Sequence, residues 1–245
     1  MTVHTPLRGC FVTGTDTEVG KTRISVALLH WLAQAVWRSA GFKPVAAGTS
    51  LIGGHWVNED VRALRDASSL AMSDAEVGPF QFETACAPHI AAARQGQLID
   101  RAAILHAVHA LVARAEVLVV EGVGGFCVPL GPDWDSADLA GDLQLPVVLV
   151  VGLRLGCINH ALLTAEAVRA RGLCLAGWVG NSVTPAMPWV EENIDTLRQR
   201  LQQQDVPCLG LVPWLAEPSP AAVAAHLDPV ALTTLFSSIS SPFAS

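Results

Sequence analysis

Tyrosine is missing from this chain, so no phenol can act in any chemistry it performs. Lysine is nearly missing: Lys21 and Lys43 are two against thirteen arginines. A compact ammonium has been kept only where a rigid guanidinium fork would not serve, as where a charge must follow a moving phosphoryl group. The six cysteines (10, 86, 127, 157, 174 and 208) include no Cys-x-x-Cys pair. Scattered and mostly set in apolar runs, they read as reduced core residues of a cytoplasmic protein rather than a disulfide or zinc framework. The eight histidines show no metal-ligand spacing. Only 15% of residues are charged, the net charge is −7, and no basic cluster occurs, which argues against nucleic acid as a partner. The longest apolar stretches, around Val117–Val120 and Pro146–Gly152, are of strand length, so no membrane span is expected. Met1–Pro6 lacks the basic-then-apolar order of a secretory signal.

What is present is a chain of 245 residues, 51% apolar, enough for one large α/β domain with a substantial core. Strand-length runs fall near 9–14, 41–45, 116–120, 146–151, 174–180 and 208–212, with a weaker one near 78–82. Helical patterns fall between them, near 21–38, 58–67, 87–95, 99–114, 158–171 and 188–203. Continuous apolar strands suit a parallel sheet covered on both faces. The alternation predicts right-handed crossovers and a doubly wound, mostly parallel sheet of about seven strands, with ligands beyond its carboxyl edge. Thr49–Gly54 reads as a mobile loop, and the stretch after Glu217 as one more short helix with a flexible tail after about 237. No linker divides the chain.

Gly14-Thr15-Asp16-Thr17-Glu18-Val19-Gly20-Lys21-Thr22 follows the first strand and opens the first helix, with Arg23 next. A strand, a glycine-bracketed loop ending in Gly-Lys-Thr and a helix form a phosphate cradle. Backbone N–H groups face the phosphates, the lysine reaches the β/γ oxygens and the threonine hydroxyl ligates Mg²⁺. Five residues separate the two glycines, where the usual pattern has four, and an acid sits inside the loop. Val117–Val120 ends in Glu121, followed by Gly122, Val123, Gly124 and Gly125. A carboxylate at such a strand end can hold magnesium, and the glycines let backbone approach a ligand; an ordinary strand–turn would look the same. Asp60, in a helix's first turn, is either a dipole-favoured acid or a second metal carboxylate. Gly156-Cys157-Ile158-Asn159 opens a helix whose free N–H groups suit an anion, as at many βα turns. His89 follows Pro88 at a helix start and reads as structural.

Taken together these segments resemble the dethiobiotin synthetases. The matching stretches are Phe11–Thr22, Gly41–Ala46, Pro88–Ile90, Val120–Gly125, Leu155–His160, Ala176–Val179 with Asn181, and Val212–Glu217. They fall in order along nearly the whole chain, and the long phosphate loop with its internal acid is itself a family trait. The resemblance implies an ATP- and Mg²⁺-dependent ligase that joins CO₂ (or bicarbonate) to 7,8-diaminononanoate and closes a ureido ring through a carbamate and a carbamic–phosphoric anhydride. It implies that Lys21 holds the β/γ phosphates, Lys43 the carbamate and the transferring group, and Thr17 the substrate or phosphate. Thr22, Asp60 and Glu121 would place the metal. Adenine would lie against Asn181, Ser182 and Gly210-Leu211-Val212-Pro213, with Glu217 nearby. The diamine would lie over the 122–125 turn, with its carboxylate at residues 156–159 of a second subunit, making a homodimer with shared sites. Two positions depart from the family: a frequent serine is Ala47 here, with Thr49 two residues on, and a frequent tyrosine aligns near Asn193. A partition- or switch-type P-loop ATPase is the chief alternative. Such proteins carry a lysine at the start of the loop, and this chain has none before Lys21. A synthetase acting on another amine or carboxylate is the second.

Overall fold

The computed structural model describes residues 8–52 and 54–237. Met1–Pro6 and the expected tail after 237 lie outside the described residues. The chain opens with β1 (Gly9–Gly14), α1 (Lys21–Gln34), β2 (Ser39–Phe42), β3 (Val45–Ala47), β4 (Ser50–Ile52) and β5 (His55–Val57). It continues through α2 (Glu59–Ala67), α3 (Asp74–Val77), β6 (Phe80–Phe82), α4 (Pro88–Arg94), α5 (Arg101–Val112) and β7 (Val117–Glu121). The second half holds α6 (Ser136–Leu143), β8 (Val147–Leu153), α7 (Cys157–Ala170), β9 (Leu175–Ser182), α8 (Val190–Gln202), β10 (Cys208–Val212), α9 (Pro220–Ala224) and α10 (Pro229–Ser237).

Six strands form one parallel sheet in the order β10-β9-β8-β1-β7-β2. Every residue of β1, β7 and β8 is buried, which explains why these runs are apolar without alternation. Successive side chains still go to opposite faces. Cys10, Val12, Val117, Val119, Val148 and Val150 pack with α1, α2, α9 and α10. Phe11, Leu118, Val120, Val147, Leu149 and Val151 pack with α4 through α8. The sheet is therefore doubly wound. Strand order reverses at β1, which lies between β7 and β8, so the crevice beyond its carboxyl end is the natural ligand site. Among the described residues no helix is long and apolar enough to cross a membrane.

Several expectations need correction. The seventh strand, β6, exists but pairs with β3 in a separate two-stranded sheet. Pro44 has no N–H to continue the ladder, so β2 stops pairing with β7 at Phe42, and Lys43 N donates to Val77 O (2.8 Å) instead. The supposed loop at 49–54 lies largely within an antiparallel hairpin, β4 with β5. The single short helix after Glu217 is two, because both Pro220 and Pro229 start a helix and the link between them bonds back to β10. Helix α1 stops at Gln34 rather than 38, since Val36 takes a left-handed φ of 62°. Helix α6 was not expected. Its signal was the Asp135/Asp138 capping box, in which each side chain accepts from the other's N–H at 2.9 Å. All six cysteines are free, but only Cys10 and Cys157 are buried; Cys127 and Cys174 are exposed.

Candidate active site

The phosphate loop leaves β1 at Gly14 and folds back tightly: a Cβ at Gly14 would lie 2.6 Å from Val19. Glu18 (φ 60°) and Gly20 (φ 93°) turn the chain in the left-handed region, which is how the longer loop still delivers Lys21 to the start of α1. Lys21 Nζ donates to the Asp16 carbonyl (2.9 Å), drawing the loop around its own N–H groups. Asp16 accepts from Thr17 N (2.7 Å) and pairs with Arg154 at the end of β8. Burial pushes the Lys21 ammonium down to about 8, and the Lys43 charge adds to that, against the pull of Glu121 and Asp60. From the far side, the Asn181 amide at the end of β9 donates to Val19 O (2.9 Å). A Cβ on Gly20 would sit 2.3 Å from that amide nitrogen, so the close approach requires glycine.

Lys43 follows β2, 4% exposed, and its Nζ lies 2.5 Å from Asp60 Oδ2 and 2.7 Å from Glu121 Oε1. Glu121 ends β7 and is 0% exposed; its Oε1 also accepts from Thr22 Oγ1 at 2.7 Å. Asp60 is placed by Asn58, the N-cap of α2, which accepts from Val61 N and donates to Gly48 O. Burial opposes the Lys43 charge, but the pull of Glu121 and Asp60 and hydrogen bonds to both hold its affinity for the proton above the usual lysine range. Burial likewise opposes the Asp60 charge, and Lys43, by charge and hydrogen bond, with Thr22 and Lys21, holds its carboxyl below the usual range. Glu121 Oε2 is buried with no hydrogen-bond partner. That orphaned oxygen, with the Thr22 hydroxyl and Asp60, is a hard-oxygen donor set. Two carboxylates and a hydroxyl fit magnesium, which keeps several waters. Among the described residues no three His, Cys, Asp or Glu side chains gather as a metal cluster.

These groups open on a cavity of about 440 Å³. Of the residues singled out in the sequence, Thr17, Glu18, Gly20, Lys21, Thr22, Arg23, Lys43, Ala47, Asp60, Glu121, Val123 and Gly124 line it. Ala85 lines it too and was missed, since a lone alanine in a loop carries no signal. Gly124 (φ 63°) passes over the phosphate loop, its missing Cβ 3.6 Å from Thr17 Oγ1, whereas Gly122 packs on Phe11. A second cavity, about 480 Å³, lies at the carboxyl ends of β8, β9 and β10, where Ser182, Leu211, Val212 and Pro213 meet Met187 and Trp214. The last two were missed; they come from loops whose prolines signal turns only. Asn181 stands behind the phosphate loop rather than in this cavity, its Oδ1 buried and unpartnered. Gly210 faces the His226 carbonyl, and Glu217 does not line the cavity. Thr49 does not reach the first cavity; its N donates to Glu83 O (3.2 Å). Gly156 (φ 93°) to Asn159 line neither cavity. The preceding Arg154 and Leu155 line a surface cleft of about 390 Å³ with Trp189 and Asn193, and Leu155 is 94% exposed. His89 Nδ1 lies 3.2 Å from Pro129 O, outside both cavities.

A family profile described as an AAA domain matches residues 8–222. The ATP-dependent dethiobiotin synthetase BioD of Aromatoleum aromaticum is 55% identical over 221 residues, 90% of this chain and 96% of that one. The protein of the same name from Janthinobacterium sp. (strain Marseille) is 52% identical over 223 residues, 89% of this chain and 93% of that one. Among solved structures, the MinC:MinD cell division protein complex of Aquifex aeolicus has a TM-score of 0.53 over 97% of this chain and 99% of that one. Its 14% identity makes that a likeness of fold alone, the P-loop type of α/β sheet. Identity above one half, kept over about nine-tenths of the chain, is of a different order, and the chain belongs to the ATP-dependent dethiobiotin synthetase family.

Proposed function

We propose that the protein carboxylates 7,8-diaminononanoate with CO₂ and closes the ureido ring of dethiobiotin, converting ATP to ADP and phosphate. The observation that carries this reading is that the chain's two lysines line one cavity, Lys21 on the phosphate loop and Lys43 across from it beside Glu121. One substrate amine adds to CO₂ and loses a proton to give a carbamate. A carbamate oxygen takes the γ-phosphoryl group as the bond to ADP breaks. The second amine then attacks the carbonyl carbon and expels phosphate. The demanding step joins two anions, so the protein's part is positioning and charge neutralisation. Lys21 holds the β/γ oxygens, Lys43 the carbamate, and Thr17 the group in transfer. Magnesium, when held by Thr22, Asp60 and Glu121, neutralises phosphate oxygens. Ala47, Ala85 and Val123 give the cavity an apolar side that suits the diamine's chain and keeps water away.

The second cavity suits adenine: Leu153, Met187, Leu211 and Val212 offer apolar walls for the ring, and Ser182 and Thr184 offer hydroxyls for its edge. Residues 156–159 lie outside the phosphate cavity of their own protomer, which supports a homodimer in which this helix start holds the substrate carboxylate in the partner's site. The test is phosphate release from ATP. It should require both the diamine and bicarbonate, and Lys43→Gln should abolish turnover while nucleotide still binds. Vigorous hydrolysis without the diamine would instead identify a nucleotide switch.

A further inference from the structure

We propose that Lys43 is the resident counter-ion of the metal site. In the nucleotide-free protein its ammonium bridges Asp60 and Glu121; the divalent cation that arrives with nucleotide takes over those carboxylates and turns the ammonium into the substrate cavity. This rests on the placing of metal and substrate proposed above, and deepens it by joining two roles that compete for the same two carboxylates.

The ammonium lies 2.5 Å from Asp60 Oδ2 and 2.7 Å from Glu121 Oε1, the oxygens of the very carboxylates that the metal needs. A magnesium ion about 2.0–2.1 Å from the unpartnered Glu121 Oε2 and from an Asp60 oxygen would share both acids with the ammonium, and two positive centres that close in a desolvated site repel strongly. Without any cation, wholly buried Glu121 would be an uncompensated charge in the protein interior, a strongly destabilising state. Lys43 fills that need in the free protein. The exit is built in: Ala47, Ala85 and Val123 leave room on one side of the cavity, and Glu18 on the phosphate loop is the one further acid among the described residues that line it. The four-carbon stem allows the swing, whereas an arginine fork locked on two carboxylates would not release. Lys21 differs, since it rests on the Asp16 carbonyl and no acid has to be cleared to free it. The exchange makes metal and nucleotide binding cooperative, and it delivers a positive charge to the carbamate only after nucleotide is seated.

Two measurements test the exchange. Mn²⁺ binding is counted by electron paramagnetic resonance, with and without a non-hydrolysable ATP analogue, in the wild type and in Lys43→Met. The expected result is that the variant binds Mn²⁺ about tenfold or more tightly without nucleotide, and that the gain in Mn²⁺ affinity on adding the analogue shrinks by the same factor. An equal rise in both conditions, meaning that the ammonium stays among the carboxylates, would overturn the proposal, as would no rise. The wild type provides the second readout, independent of whether the variant folds. With Nζ-labelled lysine the protein gives just two nitrogen signals, from Lys21 and Lys43. Mg²⁺ with the analogue should shift the Lys43 signal and speed its proton exchange, and an unmoved signal at saturation would refute the swing. Neither measurement contains the diamine, so an enzyme inactive in phosphate release would fail the function while leaving this exchange to stand or fall separately.

Discussion

Asn181→Ala removes the tie between β9 and the phosphate loop, and three effects set its cost. The Val19 carbonyl loses the amide donor that now lies at 2.9 Å, and an unsatisfied buried acceptor costs about 1–3 kcal/mol. Deleting three heavy atoms from a side chain that is 1% exposed leaves a void worth about 1 kcal/mol. Against these, the variant discards Oδ1, which is buried and unpartnered, recovering about 1–2 kcal/mol. At mid-values the net loss is about 1.5 kcal/mol, read as a shift in urea midpoint at unchanged m-value. Asn181→Asp is the sharper arm. It keeps the shape but faces Val19 O with a second acceptor and a buried unpaired charge, so it should be the worse variant, by about 3 kcal/mol or more. If the aspartate variant matches the wild type, or the alanine variant loses under about 0.3 kcal/mol, the amide does not anchor the loop and the reasoning fails.

Glu121→Gln should raise the Mg²⁺ concentration for half-maximal phosphate release about tenfold or more, because it removes a charged oxygen from the donor set; an unchanged requirement would take Glu121 out of the metal shell. Lys21, held down to about 8 by burial, must be charged to hold phosphates, so nucleotide binding should take up a fraction of a proton near pH 8–9. Affinity should then fall as pH rises through that window, which calorimetry in two buffers of different ionisation heat would detect, and a proton count of zero would contradict. Gly177→Ala places a methyl 2.5 Å from Leu209 Cγ inside the core, an overpacking cost of about 1–3 kcal/mol that the backbone gain from alanine only partly offsets. A fall in Tm of roughly 2–8 °C is expected, and a rise would mean that Leu209 repacks freely.

The parts of the site that could be read from the residues are those where neighbours in sequence are neighbours in space. Gly14 to Thr22 form one loop between one strand and one helix, so spacing alone fixed the phosphate cradle. The helical pattern near 58–67 announced the first turn that holds Asp60, and the apolar run before Glu121 announced a buried strand with an acid at its end. The apolar, unalternating strands likewise announced a parallel sheet with both faces covered, because only a strand buried on both sides excludes polar residues from both.

What no local pattern contained was the pairing of distant groups. Lys43 meets Glu121 across 78 residues because β2 lies beside β7, and because Pro44 turns the chain off the sheet just where the side chain must reach inward. Asn181 reaches Val19 across 162 residues because β9 stands two places from β1. Met187 and Trp214 meet at a cavity wall only once β8, β9 and β10 are side by side. Local sequence sets backbone conformation through sterics, capping and periodicity. Which strands lie next to each other is settled by burying both faces of the whole sheet at once, and that choice brought an ammonium, two carboxylates and a hydroxyl to a single point.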